Sequence, residues 1–411
     1  MTDVFEKAVA ELNLDRSDWQ LVKFGDVAIQ QKQTVDRENT DLTRYVKGEH
    51  MYSEDIHLRE WGELKDEYLG PAFIRKFEEG DILYGSRRTY LRKVVIAPFD
   101  GITSNTTFVI KANDKKIDKR LLPFIMLSER FSQHSIKNSK GSVNPYVNWK
   151  DLANFEFLLP DSNTQSKILE LLLVIDEVKQ VKLKLLLKFE KLVKSAINNN
   201  TFGKKHSKLK ESKLGLIPEH WEVKSIQEIS DLVTKGTTPS SLGYSFTNTG
   251  VNFIKAESLT VDGGFKTHKF EHINDEAHDA LKRSQLKPND ILFSIAGVLG
   301  RTAIVSEDLC PANTNQALAI IRINDSLSSS FIYYFLKTDF IIQSLIKLKV
   351  QAAQPNLSLK NINEFLVPIP PTEEQKSISE NLAHLDSIYI KLKDENILFT
   401  NLSNSISNKV F

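Results

Sequence analysis

Two long stretches of the sequence repeat apolar residues at intervals of three and four positions. One follows Pro160 and the other follows Pro370. This spacing places the apolar side chains on one narrow stripe, and it predicts two helices of roughly 35 residues, each about 50 Å long at ~1.5 Å per residue. The stripe consists of Ile168, Leu171, Ile175, Val178, Leu185, Phe189, Leu192 and Ala196 in the first helix, and of Ile378, Leu385, Ile388, Leu392, Phe399, Leu402 and Ile406 in the second.

A long helix with a narrow apolar stripe needs a partner helix to cover that stripe. Because the two predicted helices share phase and length, we expect them to pair with each other as a coiled coil. A duplication with a pseudo-two-fold relation would make that pair antiparallel. Lys182, Asn381 and Glu395 are polar exceptions within the stripes. The residues expected to make the pairing contacts are Ile168, Ile175, Val178, Phe189 and Leu192 on one helix and Ile378, Leu385, Ile388, Phe399 and Leu402 on the other.

The rest of the sequence alternates short β-rich runs with Gly, Asn and Asp turns. One helix interrupts these runs in each half, at about 119–131 and about 330–340. We therefore predict an α+β fold, in which two mostly-β domains are separated by the pair of long helices. The predicted parts are an amphipathic N-terminal helix at 1–18, a domain at 19–160, a long helix at 161–203, a linker at 204–215, a domain at 216–370 and a long helix at 371–411.

The two halves of the chain repeat one another. Gln165 and Gln375 lie 210 positions apart in similar proline-led segments, and Asp81-Ile-Leu-Tyr returns as Asp290-Ile-Leu-Phe. The offset grows along the chain, which indicates one duplicated unit with a few insertions in the second copy. Two similar units suggest two similar surfaces that engage a two-part ligand.

Composition narrows the class of protein. The sequence is 41% hydrophobic and 26% charged, which is typical of a globular protein. Its formal net charge is +1, so local patches must hold any anionic partner. The single cysteine, Cys310, excludes a disulfide framework. The acidic N-terminal segment argues against a signal peptide, and no run reaches the ~18 apolar residues of a membrane span, so we expect a soluble cytoplasmic protein.

No catalytic motif stands out: the sequence has no Walker loop, no HExxH helix and no nucleophile elbow. His268 and His272 have helical i, i+4 spacing but lack a full ligand set, so no metal site is predicted. Asn144-Pro145-Tyr146 is similar to the Asn-Pro-Pro-Tyr loop of DNA amino-methyltransferases. The second copy has Gln354-Pro355-Asn356 at that place, which favours a shared polar turn. The alternative from the enzyme class is a self-contained DNA adenine methyltransferase in which Asn144-Pro145-Tyr146 is catalytic.

Polar loops beside glycines lie at matching places in both halves. Arg and Lys neutralise phosphates, and Arg, Asn and Gln make bidentate contacts to base edges. Because the positions match while the residues differ, we expect the loops to bind two different short DNA sequences. The candidate DNA-binding residues are Arg87, Arg88, Tyr90, Arg92, Lys93, Asn105, Lys140, Asn144, Tyr146 and Asn148 in the first half, and Lys235, Thr237, Thr238, Arg301, Asn313, Asn315, Gln354 and Asn356 in the second.

These landmarks closely resemble the specificity subunit of type I restriction–modification systems. The first copy departs from the family pattern at Thr164, where an acidic residue is expected before Gln165. The segments that carry the resemblance are Gly80–Leu83, Gly85–Val94, Ser104–Thr107 and Pro160–Ile168 in the first half, and Lys235–Pro239, Lys287–Ser294, Asn313–Gln316 and Pro368–Gln375 in the second.

The resemblance implies a non-catalytic subunit with two target-recognition domains, each reading one half of a split sequence in double-stranded DNA. It implies two docked modification subunits that methylate adenine, together with restriction/translocase subunits. S-adenosylmethionine, ATP and Mg would belong to those partners, with no cofactor in this chain. A pair of helices about 50 Å long matches one to one and a half turns of B-DNA at ~34–36 Å per turn. A third hypothesis, besides the specificity subunit and the methyltransferase, is a coiled-coil adaptor with two protein-binding domains. It predicts that the chain does not retain DNA even when its partners are present.

Overall fold

The fold comes from a computed structural model that describes Lys7 and residues 15–36, 39–350 and 356–411. The chain forms two compact units, residues 1–184 with 394–411 (unit 1) and residues 185–393 (unit 2). The helix predicted over residues 1–18 falls mostly outside the described residues, and Gln354 lies outside them. Residues 15–18 form loop and turn, so helical structure does not extend to residue 18.

The described part of unit 1 has a mostly-β domain with short helices. Its helices outside the long pair are α1 Phe24–Val27, α2 Leu122–Leu127, α3 Glu129–Lys137 and α4 Trp149–Ala153. Its strands are β1 Gln20–Lys23, β2 Ala28–Gln31, β3 Arg44–Val46, β4 Gly62–Glu63, β5 Phe73–Phe77, β6 Ile82–Gly85, β7 Val94–Ile96, β8 Gly101–Ser104, β9 Thr107–Ala112 and β10 Glu156–Leu159.

These strands form two four-stranded sheets and one two-stranded ladder. One sheet has the order β2-β9-β6-β7 and is antiparallel throughout; the other has the order β4-β3-β8-β5 and contains the parallel pair β3 and β8. The two-stranded ladder pairs β1 with β10, the first and last strands of the domain. Ile82, Leu83 and Tyr84 are all buried, as expected for the apolar run of a strand held between two neighbours.

The first long helix, α5 (Ser162–Thr201), leads from unit 1 into unit 2. Unit 2 then contains the short helices α6 Ile226–Ile229, α7 Asp275–Ala280, α8 Ser329–Leu336, α9 Asp339–Val350 and α10 Leu359–Asn363. Its strands are β11 Leu209–Ser212, β12 Gly215–Pro218, β13 Glu222–Ser225, β14 Ser230–Lys235, β15 Val251–Ile254, β16 Glu271–Ile273, β17 Gln285–Leu286, β18 Ile291–Ser294, β19 Thr302–Ile304, β20 Ala312–Thr314, β21 Leu318–Ile323 and β22 Leu366–Ile369. The second long helix is α11 (Thr372–Val410).

Unit 2 repeats the topology of unit 1 strand by strand. Its sheets have the orders β14-β21-β18-β19 and β16-β15-β20-β17, and β13 pairs with β22 as β1 pairs with β10. The register of the parallel pair is the same in both copies. Thr103 Oγ1 donates to the carbonyl of Val46 at 2.8 Å, and Thr314 Oγ1 donates to that of Ile254 at 2.7 Å. The duplication predicted from the sequence offsets is therefore present in the fold.

The repeated glutamine joins each long helix to its own domain. Gln165 donates from Nε2 to the carbonyl of Pro160 at 3.0 Å and accepts from the amide of Asp118 at 3.1 Å. Gln375 donates to the carbonyl of Pro370 at 2.8 Å and accepts from the amide of Ser328 at 2.9 Å. Both side chains are buried, so each amide satisfies two backbone groups that water cannot reach.

The two long helices pair antiparallel, as predicted from the heptad pattern together with the duplication. In unit 1, Ile175 and Val178 near the start of α5 share an apolar cluster with Phe399 and Leu402 near the end of α11. In unit 2 the cluster contains Phe189 from the later part of α5 together with Ile378 and Leu385 from the start of α11. Ile168 is buried in the core of unit 1, and Ile388 is half-buried.

The predicted contact of Leu192 is wrong. Its side chain is 49% exposed, whereas Val193 is 7% exposed. After Lys182 the covered stripe runs through Leu186, Phe189 and Val193, one position beyond Leu185 and Leu192. An apolar residue directly follows each of the two predicted positions, so the sequence alone did not determine the phase of the helix there.

Two other features differ from the sequence-based expectations. Residues 204–215, predicted as a linker, include β11, which pairs with β12 in a hairpin. The single helix predicted in each half is two successive helices, α2 with α3 and α8 with α9. Ser128 caps α3 by accepting from the amide of Phe131, which begins a new helix at that point. Across the described ranges, no helix is long and apolar enough to cross a membrane.

Candidate nucleic-acid interface

Three loop segments that are far apart in the sequence meet in the domain of unit 1. Ser86, directly after β6, donates its amide to the carbonyl of Thr106 at 3.1 Å and accepts from the amide of Val147 at 3.0 Å. Arg88 donates its amide to the carbonyl of Pro145 at 2.6 Å. Backbone hydrogen bonds therefore fix the segments 86–93, 104–107 and 140–148 against each other.

The side chains of these segments form an exposed polar surface, called here loop surface 1. Arg88 Nε donates to Asn144 Oδ1 at 2.9 Å, which links two of the segments through their side chains. Arg88 has φ 50°, a left-handed conformation that non-glycine residues adopt rarely and that the surrounding hydrogen bonds hold. The predicted residues exposed on this surface are Arg87, Arg88, Tyr90, Asn105, Lys140, Asn144, Tyr146 and Asn148.

Two predicted residues of the same loop have other partners. Arg92 forms ion pairs with Glu54 and Glu129, both at 3.0 Å, and its side chain is 17% exposed. Lys93 donates to the carbonyl of Gly48, and burial lowers the pKa of its ammonium group. These contacts connect the loop to its own domain, so we leave both residues out of loop surface 1.

In unit 2, the predicted loops after β14 and β20 also meet. Thr237 donates its amide to the carbonyl of Thr314 at 3.1 Å, and Thr238 Oγ1 donates to Gln316 Oε1. The approach depends on Gly236, where a Cβ atom would lie 2.1 Å from the carbonyl oxygen of Thr314.

Arg283 belongs to this surface although the sequence did not indicate it. Its Nη2 donates to Thr237 Oγ1 at 3.0 Å. Because 46 residues separate the two positions, no local spacing could have predicted the contact. The partly or fully exposed residues that form loop surface 2 are Lys235, Thr237, Thr238, Arg283, Asn315 and Gln316.

Two further candidates in unit 2 have interior roles. Asn313 is fully buried; its Nδ2 donates to the carbonyl of Leu281 at 3.3 Å, and its Oδ1 contacts His278. Arg301 is the counterpart of Arg92, and its Nη1 donates to the carbonyl of Leu259 at 3.0 Å. We therefore leave both residues out of loop surface 2.

Asn356 is exposed and lies at the place that Tyr146 occupies in the first copy. Leu357 donates its amide to the carbonyl of Ile295 at 2.9 Å, as Val147 does to Ser86 at 3.0 Å. Val147 and Leu357 are thus held by equivalent backbone contacts in the two copies. This equivalence disfavours a catalytic role for Tyr146, because the second copy has Asn356 at the same place.

The chemistry of the two surfaces is hydrogen bonding and charge. Loop surface 1 presents guanidinium, ammonium, amide and phenol groups, and loop surface 2 presents guanidinium, ammonium, hydroxyl and amide groups. Guanidinium and amide groups match the acceptors and donors of base edges and phosphates. Among the described residues, the group placed to hold a metal ion is His206, His220 and Glu374, which does not include His268 or His272.

Comparison with known proteins agrees with this organisation. The model of the type I restriction modification DNA specificity domain matches the chain twice, at residues 16–188 and 218–398. The MjaVIII specificity subunit of Methanocaldococcus jannaschii is 26% identical over 408 residues, covering 92% of this chain and 88% of the relative. The EcoBI specificity subunit of Escherichia coli is 28% identical over 209 residues, covering 48% of this chain and 42% of the relative.

Solved structures share the fold at low sequence identity. A chain from a study of complex assembly and conformational transition of the type I R-M system has a TM-score of 0.58 at 19% identity, covering 95% of this chain and 97% of that chain. The type I restriction-modification S subunit from M. genitalium has a TM-score of 0.55 at 15% identity, covering 97% of each chain. Since two copies of the family domain span most of its length, the chain belongs to the type I restriction–modification DNA specificity family, whose members are non-catalytic DNA-recognition subunits.

Proposed function

We propose that loop surfaces 1 and 2 each read one half of a split DNA sequence. The observation that carries this proposal is that equivalent backbone frames hold different side chains. Ser86 and Ile295 accept matching backbone hydrogen bonds, yet the turns beside them present Tyr146 in one copy and Asn356 in the other. A shared frame with different side chains is what two readers of different base sequences require.

In loop surface 1, Arg88 and Asn144 are the side chains we assign to base reading. The hydrogen bond between Arg88 Nε and Asn144 Oδ1 orients the guanidinium group and leaves its two terminal nitrogens for a base edge or a phosphate. Arg87 and Lys140 supply positive charge for neighbouring phosphates. Tyr90 and Tyr146 are 53% and 44% exposed, which allows their hydroxyl groups to reach the DNA backbone.

In loop surface 2, Arg283 and Gln316 are assigned the corresponding roles. Arg283 is oriented by Thr237, and Gln316 by Thr238, so each long side chain has a fixed hydroxyl partner. Lys235 adds a phosphate contact. A buried contact of either reading residue with a base edge is worth about 1–3 kcal/mol.

The remaining parts of the proposal concern the partners. The paired helices α5 and α11 set the gap between the half-sites and offer the docking faces for two modification subunits, with restriction/translocase subunits joining the same complex. Those partners would carry S-adenosylmethionine, ATP and Mg. Family membership and the continuous α5 and α11 helices, of 40 and 39 residues, support this part.

The proposal is tested by mapping methylated adenines across the genome of a host that expresses the chain with its modification partners. We expect a split motif, with Arg88→Ala relaxing one half and Arg283→Ala relaxing the other. Arg120→Ala is the matched control, because Arg120 is an exposed arginine of unit 1 paired with Asp118 outside the loop surface. An unchanged motif for both loop variants would refute the assignment of these surfaces.

A further inference from the structure

Two histidines that flank the β11–β12 hairpin meet a glutamate from the first turn of α11. His220 Nε2 lies 2.7 Å from Glu374 Oε1, and His206 Nε2 lies 3.5 Å from Glu374 Oε2. The three ligand atoms, one from each residue, are all within 4.8 Å of one another. All three residues belong to unit 2. The family assignment does not account for this group.

The separations suit a small divalent cation. Ligand bonds of about 2.0–2.2 Å place tetrahedral ligand atoms roughly 3.3–3.5 Å apart. The 3.5 Å between His206 Nε2 and Glu374 Oε2 fits that range, whereas the 2.7 Å between His220 Nε2 and Glu374 Oε1 is a hydrogen-bond distance that would lengthen on metal binding. The ligand atoms, one from each residue, lie within 4.8 Å of one another, which is close enough for one ion to bring them together.

The glutamate is held in place by a second contact. Trp221 Nε1 donates to Glu374 Oε2 at 3.0 Å, and the Trp221 ring is fully buried. This hydrogen bond orients the carboxylate from outside the group, which is the arrangement that metal ligands show when an outer hydrogen bond supports them.

We propose that His206, His220 and Glu374 bind a divalent transition-metal ion, with Zn²⁺ as the preferred ion. Two imidazole nitrogens and one carboxylate favour Zn²⁺ over Mg²⁺ or Ca²⁺, which prefer all-oxygen sites. The side chains of His206 and His220 are 37% and 46% exposed, so water can complete the coordination. The competing interpretation is a hydrogen-bonded imidazole–carboxylate group that holds only a proton.

The metal ion would link the two segments through which the chain enters and leaves the second domain. His220 precedes β13, Glu374 follows β22, and these two strands pair with each other. The first copy has Asp18 and Thr164 at the places of His220 and Glu374, so the ligand set is particular to the second copy. The ion would therefore stabilise one reader of the pair.

The test uses the purified full chain and the metal ions alone. Co²⁺ is added first, because its visible absorption strengthens and shifts when it enters a four-coordinate protein site, and Zn²⁺ is then titrated to displace it. We expect one equivalent of each ion to bind, a decrease in tryptophan fluorescence with Co²⁺ because Trp221 lies beside the site, and a rise in the melting temperature with Zn²⁺. His206→Gln and His220→Gln should each weaken binding at least about tenfold.

His268→Gln is the matched control, since it removes an exposed histidine of the same unit and should leave binding unchanged. Circular dichroism checks that the glutamine variants are folded. Binding that is absent, that exceeds one equivalent without saturation, or that His268→Gln weakens equally would overturn the proposal and leave the proton-bearing group. Loop-surface variants such as Arg283→Ala should bind Zn²⁺ normally, so this result is independent of the DNA-reading proposal.

Discussion

Shortening both long helices by one heptad should shorten the gap between the two DNA half-sites. The deletion removes residues 181–187 from α5 and 390–396 from α11, the stretches that face each other around the ion pair between Lys182 and Glu395. Seven residues preserve the phase of the apolar stripe, because the stripe repeats every seven positions. The clusters around Ile175 and Leu382 remain intact, so the helices should still pair.

The expected size of the change follows from helix geometry. Seven residues at ~1.5 Å each shorten the helical pair by about 10 Å. At ~3.4 Å per base pair, this corresponds to a gap that is about three base pairs shorter. The half-site sequences themselves should not change, because the deletion leaves both loop surfaces untouched.

The gap is read by methylome sequencing of a host that expresses the variant with its modification partners. Binding-site selection with the purified complex gives the same quantity if methylation is lost. The control is the double substitution Lys182→Ala with Glu395→Ala, which removes the ion pair but keeps the helix length. A deletion variant that selects the parental gap would refute the idea that the helices set the spacing.

Three further predictions concern the units themselves. Gly236→Ala should disrupt loop surface 2 and relax one half-site in the methylome, because its Cβ would lie 2.1 Å from the carbonyl oxygen of Thr314; a parental motif would contradict the close approach. Leu382→Ala should lower the free energy of unfolding by about 2–5 kcal/mol in urea titration, since the Leu382 side chain of α11 is fully buried in the core of unit 2. A loss below ~1 kcal/mol would contradict tight packing of α11 on that core. Asp290→Asn should lower the free energy of unfolding in urea titration by about 3–5 kcal/mol, because it removes the charge of a buried carboxylate that pairs with Arg322 at 2.7 Å. The control is Asp325→Asn at an exposed position, and equal stability of the two variants would refute the role of the pair.

The repeat predicted the fold because duplication preserves the contacts that a strand needs. Asp81 and Asp290 stand 209 positions apart, and each lies beside a cation on the adjacent strand, Lys111 at 3.7 Å and Arg322 at 2.7 Å. An acidic residue before an apolar Ile-Leu-aromatic run therefore identified the same central strand twice. Offsets of this kind carry long-range information that periodicity alone lacks.

The phase of the long helices was harder to predict where apolar residues run together. Leu185, Leu186 and Leu187 are consecutive, and Leu192 is followed by Val193. Consecutive apolar residues fit the stripe in more than one way, so only the partner helix decides which of them is covered. Polar residues on both sides, as around Val178, remove that ambiguity.

The loop surfaces show a different limit. Asn313 and Asn315 occur in one short segment, but Asn313 belongs to strand β20 and faces the interior, whereas Asn315 follows the strand and is partly exposed. The composition of the segment does not reveal where the strand ends. Arg283 and the group of His206, His220 and Glu374 depend on contacts between distant positions, so spacing along the chain gave no signal for either.

The division of the chain into units has a consequence for its synthesis. Unit 1 consists of residues up to 184 together with residues 394–411, whereas unit 2 is one uninterrupted segment. Arg16 Nη2 donates to the carbonyl of Lys409 at 2.6 Å, so a residue made early waits for one made 393 positions later. At about 5–20 residues per second, a ribosome needs on the order of tens of seconds to cover that interval. Unit 2 can therefore reach its native state first, while unit 1 stays incomplete and is open to chaperones until residues 394–411 have been made.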